Sequence, residues 1–251
     1  MEIKHLHYYY GKNHVLKDVN IKLRKNKITT ILGANGCGKS TLFNICTKNL
    51  VTRRGIIKID GTNIENINRR DFAKKVAIVH QNNQIYSDIT VKELVSYGRT
   101  PYISFFGKLT ENDDKYIQWA IDTTGLSDIC DKKINNLSGG QKQRAFIAMS
   151  LAQSSEYLFL DEPTTYLDIK YQIEILNLIK MLNKKYNMTI IMVLHDINQA
   201  IKYSDEIIGL YNGKVVFQGN PEDVINSDEI SYLYNTKLEV SKFNGRKIVY
   251  A

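Results

Sequence analysis

Ile28-Thr29-Thr30-Ile31-Leu32-Gly33-Ala34-Asn35-Gly36-Cys37-Gly38-Lys39-Ser40 is the stretch on which the fold turns. It opens with a β-branched and apolar run of strand length. A glycine-rich loop follows, and Ser40-Thr41-Leu42-Phe43-Asn44-Ile45 then takes up helical spacing. Strand, glycine loop and helix in that order let backbone N–H groups converge on phosphate oxygens at a helix N-terminus. In that reading Gly33, Gly36 and Gly38 open the loop, Lys39 reaches the β and γ phosphates, and the Ser40 hydroxyl ligates magnesium. The plain alternative is a glycine-rich turn before an ordinary helix; the flanking strand and helix argue against it.

Working outward, Ile3 to about Lys27 is short, strand-like and interrupted by turns, with an aromatic corner at Tyr8-Tyr9-Tyr10-Gly11, and reads as an antiparallel edge layer. Strands are expected near Gly55 to Asp60 and at Val76 to Val79, the latter ending at His80-Gln81. From there to about Gln153 the character is helical, with segments at Val91 to Tyr97, Glu111 to Thr124 and Gly139 to Leu151. The α/β pattern resumes with a strand at Tyr157 to Leu160 and a helix from Ile169 to about Lys184. Ile169, Ile173, Leu176 and Ile179 are expected on one face of that helix, and a strand at Thr189 to Leu194 follows it. Asn212-Gly213 and Asn244-Gly245 each signal a two-residue hairpin. The expectation is an α/β chain with a single domain, 1–251. Its nucleotide-binding core and antiparallel β layer span 1–81 and 154–251, and a helical subdomain is inserted at 82–153.

Leu158-Phe159-Leu160-Asp161-Glu162 puts two carboxylates at the end of a buried strand, where ligand chemistry gathers in open parallel sheets. Asp161 can hold magnesium and Glu162 can polarise the attacking water. Asp-Glu before Pro163 could also simply close a strand, but beside a phosphate loop the chemical reading is stronger. Leu137-Ser138-Gly139-Gly140-Gln141 offers a second anion site: Ser138 and Gln141 fit a capping box, and a capped helix start exposes amides and the positive dipole end. Two phosphate-binding elements in one small domain point to ATP held between two copies, the loop of one facing the Ser-Gly-Gly-Gln of the other. His195, directly after a buried strand and before a helix cap at Asp196, is placed to sense a γ phosphate.

The 251 residues carry a formal charge of +8, but Lys and Arg are scattered, with only short clusters such as Arg69-Arg70 and Lys184-Lys185. Nucleic acid is therefore not an expected partner. The apolar runs fall far short of the roughly 18 residues of a membrane helix. The N-terminal residues turn polar before a signal-peptide core could form, so the cytosol is expected. Cys37, Cys46 and Cys130 are odd in number and fit neither a disulfide framework nor a zinc site. Cys37, close to Lys39 and a helix N-terminus, is expected to be partly exposed and to favour thiolate.

Together these residues resemble the ATP-binding-cassette ATPases over essentially the whole chain. Gly33 to Ser40 looks like the Walker A motif, Leu137 to Gln141 the signature, Tyr157 to Glu162 the Walker B, Gln81 the Q-loop, His195 the switch histidine, Asp168 the end of the D-loop and Tyr10 the aromatic that stacks on adenine. The resemblance implies a P-loop NTPase, RecA-like core with an antiparallel β subdomain and an inserted helical subdomain. It implies a head-to-tail dimer, of two copies or of homologous ATPases, closing on two MgATP. It implies Glu162, His195, Gln81 and Lys39 in catalysis and Ser40, Gln81 and Asp161 on Mg2+. Nucleotide contacts would come from Tyr10, Gly33, Asn35, Gly36, Cys37, Gly38, Lys39, Ser40, Thr41, Ser138, Gly139, Gly140, Gln141 and Asp168.

A narrower likeness lies in Tyr97-Gly98-Arg99-Thr100-Pro101-Tyr102, in Asp161 to Ile169 and in His195 to Ala200, which look like the ATPase subunits of importers for ferric siderophores, haem and cobalamin. It implies integral membrane permease subunits as partners, an extracellular or periplasmic substrate-binding protein indirectly, and a place on the cytoplasmic face of the membrane. His80, where a proline is common, Thr165, where serine is common, and the proline-free stretch Asn82 to Asp88 depart from the pattern without removing a catalytic group. No further regulatory domain is expected after about Tyr234. An efflux ATPase and a soluble cassette ATPase in an assembly role, such as iron-sulfur cluster formation, remain as alternatives.

Overall fold

The computed structural model describes residues 1–52, 54–81, 88–104 and 107–251, which form two units: Met1–Ile67 with Asn183–Ala251, and Asn68–Leu182. Apart from Asp88, the proline-free stretch noted above lies outside the described residues. In the first unit Glu2–Tyr10 (β1) and Asn13–Lys22 (β2) pair antiparallel, and the buried Leu6, Leu16 and Val19 show the inward face. The chain then enters Ile28–Leu32 (β3), buried at all five positions, and the helix Lys39–Cys46 (α1). A strand buried at every position, its two threonines included, is covered on both faces. Arg54–Ile59 (β4) returns to pair with β1, and Thr62–Asn63 (β5) completes an antiparallel sheet in the order β2-β1-β4-β5.

The second unit opens with Arg69–Lys75 (α2), capped by the Asn68 side chain, and leads into Val76–Val79 (β6). Val91–Ser96 (α3), Glu111–Thr123 (α4) and Gly139–Ala152 (α5) follow, each starting with a hydroxyl-bearing cap in a full capping box: Thr90 with Glu93, Thr110 with Asp113, Ser138 with Gln141. Each such cap satisfies N–H groups that a helix start leaves bare and contributes on the order of 1 kcal/mol. Tyr157–Asp161 (β7) pairs parallel with β6, and Ile169–Tyr186 (α6) begins eight residues after the strand ends.

Arg99 holds the helices of this unit together. Its Nε donates to Asp113 Oδ1 at 2.7 Å and its Nη1 to the Ala152 carbonyl at 2.7 Å, while the rings of Tyr102 and Tyr116 lie 3.9 and 4.4 Å from the guanidinium carbon. Gly98 beside it has no room for a side chain, since a Cβ there would lie 2.1 Å from the Met149 carbonyl. The Gly98-Arg99 pair thus has a packing reason of its own. On the outside of the same loop, Arg70 of α2 donates to the carbonyls of Pro101, Tyr102 and Ile103.

The chain returns to the first unit as Thr189–Val193 (β8), Ile197–Tyr203 (α7), Glu206–Tyr211 (β9) and Lys214–Gly219 (β10). β3 lies parallel to both β8 and β9, and β10 closes on β9 through Asn212-Gly213, as the hairpin signal predicts. Pro221–Val224 (α8) and Ser227–Tyr234 (α9) lead to the terminal hairpin of Glu239–Phe243 (β11) and Arg246–Tyr250 (β12), turned by Asn244-Gly245.

The expected face of α6 needs correction. Ile175, Leu176, Ile179 and Leu182 are fully buried, whereas Ile169 is 75% and Ile173 42% exposed. The buried stripe takes up its spacing only from the second turn, so the apolar residues of the first turn cannot belong to it.

Candidate functional site

The phosphate loop is built entirely within the first unit. It leaves β3 at Gly33, whose φ of 151° and lack of a side chain are both required, because a Cβ would sit 2.2 Å from the Leu210 carbonyl of β9. Gly38 caps α1 in the left-handed region at φ 108°. Gly36, at φ 77°, has open space where a Cβ would be. The far side is steadied by the hairpin turn: Gly213 N–H donates to the Cys37 carbonyl at 3.0 Å. Lys39 is buried and curls back, its Nζ donating to the carbonyls of Gly33 at 2.8 Å and Ala34 at 3.0 Å. Its ammonium thus spans the loop. Asn35, Gly36 and Ser40 are exposed and Thr41 is buried. Glycines that open the turn, a lysine across the loop and an exposed serine at a helix start suit a polyphosphate.

Cys37 departs from expectation. It is buried, and burial pushes its thiol up, ahead of the opposing attraction of Lys39. A helix start favours thiolate only where solvent can share the charge, and here desolvation outweighs it.

Of the three tyrosines at the end of β1, Tyr9 is stacked on His14 with centroids 4.0 Å apart. Tyr10 is half exposed, and its ring meets that of Tyr8 edge to face with centroids 5.0 Å apart. His195 is exposed after β8, and Asp196 caps α7 by accepting from the Gln199 N–H at 2.9 Å, as the sequence predicts.

In the second unit the carboxylates and the Q-loop glutamine are brought together by strand register. Val79 of β6 pairs with Leu160 of β7 in a parallel ladder, so Gln81 and Glu162, each two residues further on, leave the sheet at the same level. The Gln81 Nε2 donates to Glu162 Oε2 at 2.5 Å, which leaves the amide oxygen as its metal-binding end. Asp161 is half-buried at the end of β7. Glu162 has φ 49°, a left-handed backbone that costs an L-residue about 1 kcal/mol and that recurs at functional sites. Thr165, which the sequence reading noted only as a departure, donates its hydroxyl to the same Oε2 at 3.1 Å.

The helix start at Ser138 has the geometry of a capping box: Ser138 Oγ accepts from Gln141 N–H at 3.3 Å, and Gln141 Oε1 from Ser138 N–H at 3.0 Å. Gly140 lets α5 approach α6, because a Cβ would meet the Tyr171 ring at 2.8 Å. Ser138 and Gly139 are exposed, as is Asp168 before α6.

A model of the ABC transporter family matches residues 16–165, and this chain belongs to that family. It is 42% identical over 231 residues to an iron(3+)-hydroxamate import ATP-binding protein, FhuC, of Bacillus subtilis, covering 92% of this chain and 86% of the relative. It is 42% identical over 248 residues to a petrobactin import ATP-binding protein, YclP, of the same organism, covering 99% and 98%. Among solved structures it resembles a transporter assigned to the metal-chelate ABC type in an inward-facing conformation, with TM-score 0.86 and 25% identity, covering 99% and 95%. It also resembles the ATP-binding cassette MJ0796, a dimer bound to ADP and Pi, with TM-score 0.74 and 28% identity, covering 88% and 98%. The fold is that of a P-loop ABC ATPase, and the chain binds and hydrolyses ATP.

Proposed function

We propose that this chain is the ATP-hydrolysing subunit of an importer for a ferric siderophore or a related metal chelate such as haem or cobalamin, working through separate membrane permease subunits on the cytoplasmic face. The observation that carries this is 42% identity across almost the whole chain to two siderophore-import ATP-binding proteins. Among the described residues no helix is long and apolar enough to cross a membrane; in this proposal the permease subunits supply the substrate's path.

The proposed roles are those that the resemblance to the ATP-binding-cassette ATPases implies, and side-chain chemistry supports them. Tyr10 stacks on adenine; Gly33, Asn35, Gly36, Cys37, Gly38, Lys39, Ser40 and Thr41 hold the phosphates; Glu162 takes the proton of the attacking water; Gln81 and His195 report the γ phosphate. Ser40, Gln81 and Asp161 offer hydroxyl, amide and carboxylate oxygens, the hard donors that suit magnesium, which when bound neutralises phosphate charge. Ser138, Gly139, Gly140, Gln141 and Asp168 serve a second copy, in a head-to-tail dimer. The exposed apolar side chains of Tyr166, Ile169 and Ile173, flanking Asp168, support that assembly, because a cluster of large uncovered side chains marks an interaction surface. The residues 82–153 act as the helical subdomain that meets the permease.

An ATPase subunit can bias its permease between inward-facing and outward-facing states only by the difference in ATP affinity between open and closed dimers. Replacing Lys39 with alanine should therefore abolish ATP-driven accumulation of the chelate while leaving its capture by a surface binding protein intact. Uptake of radiolabelled iron as siderophore complexes or haem, and of labelled cobalamin, measures this. Normal entry of all three, with no redundant ATPase present, would sink the importer reading.

A further inference from the structure

The hydroxyl of Thr165 is placed on Glu162 by the turn that follows β7. Glu162 leaves the strand with a left-handed backbone, and Pro163 fixes φ at the next position. Thr165 N–H closes the turn by donating to the Glu162 carbonyl at 3.2 Å. A turn closed between its first and fourth residues brings their side chains together. Thr165 Oγ1 thus reaches Glu162 Oε2 at 3.1 Å, the oxygen that also accepts from Gln81.

We infer that Thr165 is a positioning residue for Glu162, gripping Oε2 so that Oε1 is turned toward the attacking water; this rests on Glu162 acting as the base. In the step it serves, the water oxygen bonds to the γ phosphorus, the bond from that phosphorus to the bridging oxygen breaks and ADP leaves. The water proton passes to Glu162 Oε1. A glutamate side chain has three rotatable bonds, and a carboxylate that must meet one water in one geometry gains from every bond that is fixed beforehand. The two donors on Oε2 differ in origin. Gln81 belongs to a separate strand end and is also the proposed metal ligand, so its amide has two duties. Thr165 belongs to the same turn as Glu162 and moves with it. Its β-branched side chain has few χ1 states, which keeps the hydroxyl aimed. Thr165 donates to the carboxylate, so its part is to orient the base and not to accept a proton itself.

The test is steady-state ATPase kinetics of the purified full chain with MgATP. Thr165→Val keeps the shape of the side chain and removes the donor. It should lower kcat about tenfold or more, the scale of one hydrogen bond to a charged group, with KM for MgATP within about twofold. Thr165→Ser keeps the donor and should stay within about threefold of wild type. Added to Glu162→Gln, the valine change should have no further effect, because the base it positions is gone. If Thr165→Val turns over normally while Glu162→Gln is inactive, Glu162 is the base and the inference about Thr165 is wrong. An equal fall in Thr165→Ser, or a loss of ATP binding in Thr165→Val, assigns the side chain to turn packing and overturns the inference as well. Wild-type turnover in Glu162→Gln removes the base reading itself.

Discussion

Cys37 stands two residues before Lys39 at the start of α1, and its surroundings decide its chemistry against its neighbours in sequence. Burial pushes the thiol up, as it does more strongly for Cys46, which reaches about 12. Cys130 is half-buried. Alkylation with iodoacetamide near pH 8, followed by mass spectrometry, should therefore modify Cys130 ahead of Cys37 and Cys46, with ATPase activity surviving the first modification. First labelling at Cys37 would mean that the loop opens far more than its packing implies. Among three adjacent tyrosines the family resemblance singles out Tyr10, and the packing leaves it half exposed while Tyr9 lies against His14. Tyr10→Ala should weaken ATP binding by about 1 to 3 kcal/mol, the scale of a base stacked on an aromatic ring, and Tyr9→Ala much less, because the Tyr9 face is already taken by His14. Fluorescent-nucleotide titration compares the two.

The helices of the second unit depend on a buried ion pair. Burial alone would raise the Asp113 carboxyl, but the hydroxyl and amide of Thr110 and the guanidinium of Arg99 outweigh it and hold it below the usual carboxylate range. The folded value lies below the unfolded one. The stabilisation is therefore present above the ordinary aspartate pKa of about 3.9 and is lost as pH falls through the lower, folded value. Asp113→Asn should destabilise the protein by about 3 to 5 kcal/mol at neutral pH, because it strands Arg99 in a site only 3% exposed. In denaturant titrations the gap between variant and wild type should narrow at the acid end; a gap constant with pH would contradict the account. The β6 and β7 pair is a second dependency at this level. Gln81 reaches Glu162 only because Val79 and Leu160 are in register, so a slipped ladder would separate them without altering either residue.

For the whole chain, the proposed unit of function is larger than one copy. Tyr166 is 87% and Ile169 75% exposed, which is costly for large apolar groups unless another surface covers them in the working state. Glu162→Gln should bind MgATP, hydrolyse it about a hundredfold or more slowly, and accumulate a dimer. Size-exclusion chromatography with light scattering, with and without ATP, reads the mass directly. A Glu162→Gln protein that stays a monomer at saturating MgATP would remove the dimer from the proposal. Adding Ile169→Asp to that variant should weaken the dimer while leaving the helices intact, since that side chain is exposed in the single copy.

Much of this molecule was legible along the chain because its signals are local. A glycine loop between a strand and a helix, a serine three residues before a glutamine, and asparagine-glycine pairs between apolar runs specify backbone geometry over a few residues, and the loop, the α5 cap and both hairpins formed where those signals lie. The burial of Cys37, the true inner face of α6, the Arg99 and Asp113 pair, and the meeting of Gln81 with the Glu162 carboxylate were decided by the tertiary structure. Each depends on groups distant in sequence or on which face the packing covers. Desolvation, strand register and ring stacking act through space, and residue spacing alone does not encode them.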